Sequence, residues 1–500
     1  MIHDLKQSVC SLGESHAMSE TPVIHRPSDS VFGRQPVRGR VGLFSIGLAA
    51  YWPQFPGLKE RLEGYGRQVE ARVGDWADVV SAGLVDDAEA ARRAGEVFAR
   101  EGVDLILLHT ATYATSSQVL PAVQRAGVPV VVLNLQPVAS LDYPNTDTGE
   151  WLANCSACCA PELAGAFARA RVPYQVLSGL LDGADDSRAW REIGAWCRAA
   201  GAVRALRGAR FGFLGHTYPG MLDLYSDFTQ LHAQLGMHVE VLEMDDLQAC
   251  VEAVTDPELT LVLTEARDAF ELDPSVDEQR LRMGAHVAAG MDRLVSAHRL
   301  NALTYYYRGH GAFEALGASL ILGGSRLTAR GVPCAGEGDL KNAVAMFIMD
   351  RLGAGGSYTE FYAMDLNEGF MLMGHDGPGH LAISDRRPIL RGLGLFHGKA
   401  GDGVSVEFKV KTGPVTILGV TQTADGRLKL LIAEGQSLPG EILRIGNTNS
   451  RLRFALPPDE FLDRWCQEGP THHVALGVGH HARTLEKVGR LLGLDVVVVR

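Results

Sequence analysis

Between Arg40 and about residue 350, short and predominantly apolar runs alternate with longer segments whose apolar residues recur every three or four positions. VGLFSIG (41–47), DLILLHT (104–110) and VPVVVLNL (128–135) read as buried strands, and the segments around 76–102 and 115–127 as amphipathic helices. Strands that are apolar throughout, spaced by helices, indicate βαβ units in a parallel sheet covered on both faces. The pattern restarts after a helical link at 186–206. RFGFLG (210–215), MHVEVLEM (237–244), LTLVLTE (259–265) and NALTYYYRG (301–309) are expected strands, and 221–236, 275–299 and 338–352 expected helices. From about 355 the grammar becomes that of short alternating strands: FMLMGH, GVSVEFKVK, GPVTILGVTQT, RLKLLIAEG and EILRIGNTN, with Asp425-Gly426 as a hairpin turn. VALGVGHH (474–481) is a strand ending in two histidines, followed by a helix and the closing LDVVVV. The fold expected is two Rossmann-like parallel-sheet α/β domains (39–180 and 181–353) and a mostly antiparallel β domain (354–500). Residues 1–38 are polar and aperiodic and read as a disordered leader, with Met18 as an alternative start.

Composition narrows the function classes. Hydrophobic residues make up 46% and charged residues 21%, the balance of a soluble globular chain. A net charge of -12 leaves no basic excess to meet phosphates, which argues against nucleic-acid and anionic-membrane partners. No run of about 18 apolar residues is present to span a bilayer. The eight cysteines are scattered, which suits a reducing cytoplasm rather than a disulfide framework. The cluster NCSACCA (154–160) holds a C-x-x-C, but no second Cys/His pair of zinc spacing follows, so it reads as small packing residues.

Four polar spots interrupt apolar or glycine-rich text. They are Glu337 and Asp339 in CAGEGDLKNA, Glu360 and Asp365 in GGSYTEFYAMD, His375, Asp376 and His380 in GHDGPGH, and His480 and His481 in GVGHHA. Carboxylates and imidazoles at long, mixed separations are what a divalent-metal site assembled from several strand ends requires. Each spot alone also has a plain reading: a first-turn helix carboxylate, an edge residue, a turn, a strand cap. In the first domain, Ser45, His109, Thr110, Asn134 and Gln136 fall at strand carboxyl ends, where parallel sheets gather ligands.

Taken in order, the four spots resemble the L-arabinose/L-fucose isomerase family, a similarity that runs from about residue 40 onward. The matching motifs are Gly336-Glu337-Gly338-Asp339 before a helix, Ser357-Tyr358-Thr359-Glu360, the apolar strand Met371 to His375, and Gly477 to His481 in the pattern Gly-x-x-His-His. VPVVVLNLQP resembles the strand of the family that ends in Gln, here Gln136. The segment between Glu337 and Glu360 is shorter than the arabinose enzymes have, and HDGPGH and TQTADGR differ from their counterparts, so the metal frame transfers better than the sugar pocket.

The resemblance implies a metal-dependent aldose–ketose isomerase working through an enediolate. It implies metal ligands Glu337, Glu360, His375 and His481, with His480 an equal candidate by chemistry, and the two glutamates as acid/base groups. Mn²⁺ is the expected metal, with Mg²⁺ or Co²⁺ as alternatives and no organic cofactor. Asp376 or His380 would orient a ligand or meet a sugar hydroxyl, and His109 and Gln136 are further candidates for substrate contact. A cytoplasmic homo-oligomer, trimer or hexamer, is also implied. The rival readings are a metal-dependent epimerase or hydrolase, and a sugar-binding protein without catalysis.

Overall fold

In the computed structural model, which describes residues 37–308, 311–393 and 402–500, three sheets follow one another along the chain. Nearly all of the expected leader, Met18 included, lies outside the described residues. The first sheet has five strands in the order Ala77–Val85, Gly39–Ile46, Leu105–His109, Val130–Gln136 and Tyr174–Leu180, all parallel. The edge strand Ala77–Val85 falls inside the segment expected to be one helix from 76 to 102. Its alternating burial is that of a half-covered edge, and Asp87 caps the helix Ala88–Glu101 that follows it.

The second sheet is also parallel, in the order Cys334–Ala335, Ala302–Tyr306, Arg210–Gly215 and His238–Leu242. LTLVLTE, expected as a strand, belongs to the helix Asp256–Ala269. Thr255 and Glu258 form its capping box, and its buried residues Leu259, Val262, Leu263 and Ala266 keep helical spacing. The expected helix 221–236 is instead a 3₁₀ turn, Leu222–Leu224, and a shorter helix, Phe228–Leu235, capped by Asp227.

The third sheet runs Gly413–Gln422, His473–Val478, Gly355–Asp365, Phe370–His375, Thr448–Phe454 and Leu428–Ser437, antiparallel throughout. The first and last of these also pair, which closes six strands into a barrel. Asp495–Val498 joins alongside in parallel. Two α/β sheets followed by a mostly antiparallel β unit is the architecture the hydrophobic pattern predicts. Of EILRIGNTN, only Thr448 and Asn449 are in a strand, and a helix at Pro458–Gln467 went unanticipated. A small sheet links Glu271–Leu272 of the second unit to Ile389–Gly392 and Val404–Glu407. Among the described residues no helix is long and apolar enough to cross a membrane.

One helix organises what these sheets share. Leu340–Arg351 is buried on every side from Leu340 to Met349, packed between the link helix Arg188–Leu206, the second sheet and the barrel. Even Lys341 is buried, its ammonium donating to the Tyr225 carbonyl (2.8 Å) and the Ser226 hydroxyl (3.2 Å). The chain enters this helix through Gly336-Glu337-Gly338. A Cβ at Gly338, where φ is +72°, would stand 2.5 Å from the His216 carbonyl oxygen, so only glycine fits. Glu337 itself has φ +60°. Arg171 and Arg299, the other described non-glycine residues of this kind, are ordinary left-handed helix C-caps; Glu337 ends no helix. A left-handed side-chain-bearing residue costs about 1–2 kcal/mol, and such strain collects at functional positions.

Two stability predictions follow from this packing. Glu337→Gly should be more stable than Glu337→Ala by about 1 kcal/mol, the reverse of the usual order for these two residues, in denaturant titrations of metal-free protein. The second concerns His109, fully buried with its Nδ1 3.0 Å from the Ser45 hydroxyl, whose pKa burial lowers to about 4. Below pH 6.5 the unfolded chain takes up a proton that the folded chain refuses, so stability falls as pH drops from about 6.5 to about 4. The stability advantage of wild type over His109→Gln should therefore shrink by about 2 kcal/mol between pH 7 and pH 5. A constant difference would show that His109 does not titrate this way.

Candidate metal centre

The strained turn lies against three adjacent barrel strands, at the middle of Gly355–Asp365, the end of Phe370–His375 and the start of His473–Val478. In the ladder, Glu360 lies opposite His473 on one side and Gly374 on the other, and His375 follows directly after Gly374. Two overlapping groups result, each with ligand atoms within 4.8 Å of one another: Glu360, His375 and His473, and Glu337, His472 and His473. His473 belongs to both. Its Nε2 is 3.1 Å from His375 Nε2 and 3.5 Å from Glu337 Oε2.

The orientation of His473 is set from behind. Its Nδ1 lies 3.0 Å from Asp339 Oδ2, both side chains being fully buried, while Asp339 Oδ1 accepts the Asn342 N–H at 2.9 Å and caps the central helix. A carboxylate accepting Nδ1–H leaves the Nε2 lone pair turned toward Glu337 and His375, the usual support of a metal-bound imidazole. Tyr358 packs against both rings, with centroids 4.2 Å from His375 and 4.5 Å from His473, and its hydroxyl is 2.9 Å from His473 Nε2. Burial, and the charges of Glu337, Asp339 and Glu360, raise the Tyr358 pKa well above its usual value, so the phenol stays protonated and can donate.

His472 has a different task. Asp223 Oδ2 takes its backbone N–H (3.0 Å) and stands 2.7 Å from its Nδ1, and Glu337 Oε2 lies 3.8 Å from its Nε2. Burial lowers the His472 pKa, but these two carboxylates outweigh it and raise it to about 10. Against the raising effect of its own burial, Asp223 is held down at about 2. Of the adjacent pair, His473 stands in both groups of converging ligand atoms and His472 in one of them, and His472 ties the Asp223 loop to the site.

This donor set fits a divalent cation. Two imidazole nitrogens 3.1 Å apart converge with carboxylates from the turn and the barrel, and Glu337 Oε2 is buried without a hydrogen-bond partner. Mixed nitrogen and carboxylate donors suit Mn²⁺, Fe²⁺, Co²⁺ or Zn²⁺.

Glu337, Glu360 and His375 stand where the sequence places them, but His481 does not join them. It begins the helix Ala482–Leu492, with its Nε2 3.0 Å from the Val478 carbonyl, and the exposed His480 contacts the Gly435 carbonyl at 3.3 Å. The histidine at the centre is His473, at the start of the strand His473–Val478 rather than beyond its end. The text offered it: Gly469-Pro470-Thr471-His472-His473 has the same Gly-x-x-His-His spacing as Gly477 to His481. His380 is buried elsewhere, with its Nε2 3.6 Å from Asp350 and its backbone N–H on the Ser357 hydroxyl. Asp376 is near enough for its charge to help raise the Tyr305 and Tyr362 hydroxyls, behind the larger effect of burial. His109 and Gln136 belong to the first sheet, Gln136 donating to the Val138 carbonyl. Of the cysteine cluster, Cys155 and Cys159 are buried and Cys158 is exposed; none belongs to a metal-holding group.

Known proteins are similar to this chain over both units that build the site. Residues 226–355 match the L-arabinose isomerase central domain, and residues 391–500 match the L-fucose isomerase C-terminal domain. Glu337 lies in the first match and His473 in the second; Glu360 and His375 fall between them. The chain is 24% identical over 440 residues to an L-arabinose isomerase of Nocardioides sp., covering 84% of this chain and 85% of that one. It is 25% identical over 398 residues to a sulfoquinovose isomerase of Alkalicoccus urumqiensis (79% and 86%). An L-arabinose isomerase of Acidothermus cellulolyticus is 24% identical over 394 residues (74% and 75%). Both domain matches fall on the two units that build the site, and the chain is similar there to the L-arabinose/L-fucose isomerase family.

Proposed function

We propose that this chain is a metal-dependent aldose–ketose isomerase acting on a free sugar, its metal held by Glu337, Glu360, His375 and His473. The observation that supports it most directly is the convergence of Nε2 of His375 and His473 with the carboxylates of Glu337 and Glu360, backed by Asp339. Mn²⁺ is the proposed metal, with Mg²⁺ or Co²⁺ as alternatives. A cytoplasmic homo-oligomer, trimer or hexamer, is part of the same reading and rests on the family alone.

Aldose–ketose isomerisation takes a proton from C2, returns one to C1, and moves the hydroxyl proton from O2 to O1, with no net gain or loss of atoms. A divalent ion held by Glu337, Glu360, His375 and His473 would supply Lewis acidity to polarise the sugar carbonyl. Glu337 and Glu360 are the carboxylates placed to exchange protons with the substrate, worth about 10²–10⁴-fold in rate. Asp339 would orient His473 through its Nδ1, and Tyr358 packs against the His473 ring. Asp376 is proposed to meet a sugar hydroxyl. The names of the relatives make L-arabinose and sulfoquinovose the first substrates to assay.

The ligand set is tested by elemental analysis of protein purified without chelator. Wild type and His481→Ala should hold one equivalent of divalent metal, and His473→Ala, Glu337→Gln and Glu360→Gln should lose it together with ketose formation. Loss in His481→Ala with retention in His473→Ala would refute the assignment. Asp339→Asn separates capping from orientation, since Asn is nearly as good an N-cap. It should keep the thermal midpoint of metal-free protein within a few degrees while weakening metal affinity about 10–100-fold in chelator competition.

A further inference from the structure

Seven residues beyond His473, roughly 20 Å along an extended strand, the chain reaches a second polar region with no part in the chemistry above. It is a cleft of about 600 Å³ between the strand Tyr174–Leu180, the link helix Arg188–Leu206 and the last helix Ala482–Leu492. Arg188, Arg191 and Arg198 line it from the link helix, the latter two seven residues apart and so on one face. Arg483, Lys487 and Arg490 line it from the last helix at i, i+4 and i+7, again one stripe, and Arg500 and His480 stand at the same opening. Seven cationic side chains thus meet three carboxylates, Glu192, Glu434 and Glu486, an excess of four with His480 neutral. The whole chain has a net charge of -12, so this is a local reversal of sign.

The carboxylates are already engaged. Glu192 answers both Arg483 (3.2 Å) and Lys487 (2.5 Å), Glu434 accepts the Ala482 N–H at 2.8 Å, and Glu486 lies 3.8 Å from Arg500. Arg490 has only the neutral amide oxygen of Gln175, at 2.7 Å, and Arg188 only the Ser178 carbonyl, at 3.5 Å. Arg191 and Arg198 have neither an ion-pair partner nor a hydrogen-bond acceptor among the described residues. Four guanidinium groups without an acidic partner therefore share one concave space. Like charges so placed repel, and a cleft of one sign concentrates counter-ions. Guanidinium groups match the oxygen geometry of phosphoryl and sulfuryl groups in particular.

We propose that this cleft is a binding site for a small, multiply charged phosphoryl oxyanion, separate from the metal centre. The anion would neutralise the facing stripes and fasten the link helix of the first α/β unit to the last helix of the barrel. The space suits a molecule with two or three phosphate groups and is too small for a nucleic-acid duplex.

Calorimetric titration with inorganic pyrophosphate and with fructose 1,6-bisphosphate, in about 150 mM NaCl, tests this on the full-length protein. Wild type should bind at least one of them with a sub-millimolar dissociation constant and gain thermal midpoint on saturation. The exposed pair Arg191→Gln with Arg198→Gln should bind at least tenfold more weakly and lose that gain, with ketose formation and metal content unchanged. Tighter binding of the bisphosphate would identify an organic phosphate as the occupant, and tighter binding of pyrophosphate an inorganic one. Equal affinity in the double variant would place the anion on the metal and overturn the proposal, as would no binding by wild type up to about 10 mM.

Discussion

The buried contact between Asp339 and His473 joins three things that are otherwise independent. One oxygen of Asp339 caps the helix at the centre of the largest apolar cluster, and the other sets the tautomer of a histidine on the first residue of a barrel strand. That histidine stands in both groups of converging ligand atoms. A carboxylate sealed from water is costly unless its lone pairs are satisfied. Here satisfying them requires the second α/β unit and the barrel to be docked in one position. The geometry of the candidate centre and the packing of the two units are therefore the same constraint, seen from two sides.

The left-handed Glu337 adds the opposing term. Gly336 and Gly338 let the backbone pass against Tyr358 and the His216 carbonyl, but the residue between them keeps a side chain where glycine would be relaxed. Its buried Oε2 lacks a hydrogen bond and its nearest neighbours are the two histidines. Local strain, and a buried carboxylate oxygen that faces two histidines without a hydrogen bond, are what a candidate metal ligand requires. A bound dication would relieve the electrostatic part and leave the backbone part, which is the division between Glu337→Gly and Glu337→Ala.

What could be read from the sequence follows the range of the forces involved. The parallel and antiparallel sheets were legible because period and apolar run length are local. Glu337, Glu360 and His375 were legible because each interrupts such a run. Errors arose where two local readings compete: LTLVLTE alternates and also keeps helical spacing, and the capping box at Thr255 and Glu258 decided for the helix. The two histidine pairs were the harder case. Both have Gly-x-x-His-His, and both flank the same strand. What separates them is the company each keeps in the fold. His472 and His473 meet Asp223 and Asp339, 249 and 134 residues away, whereas His480 and His481 meet backbone carbonyls. Partners at such separations leave no trace in spacing.

The same strand also explains why a ligand and a charge reversal can coexist without interfering. His473–Val478 starts at the centre and ends beside the basic cleft, and nearly all of it is buried between two antiparallel neighbours. Its first residue is held by a carboxylate of the second α/β unit. The helix that follows it faces the link helix from the first. Each end of the strand is thus docked onto a different α/β unit through charged side chains, while its middle is held by its barrel neighbours and by the apolar face of the central helix. Cations at one end and carboxylates at the other are about 20 Å apart, well beyond the screening length at physiological salt. Through solvent the two sites are electrostatically independent, and any coupling between them must pass through the position of the strand itself.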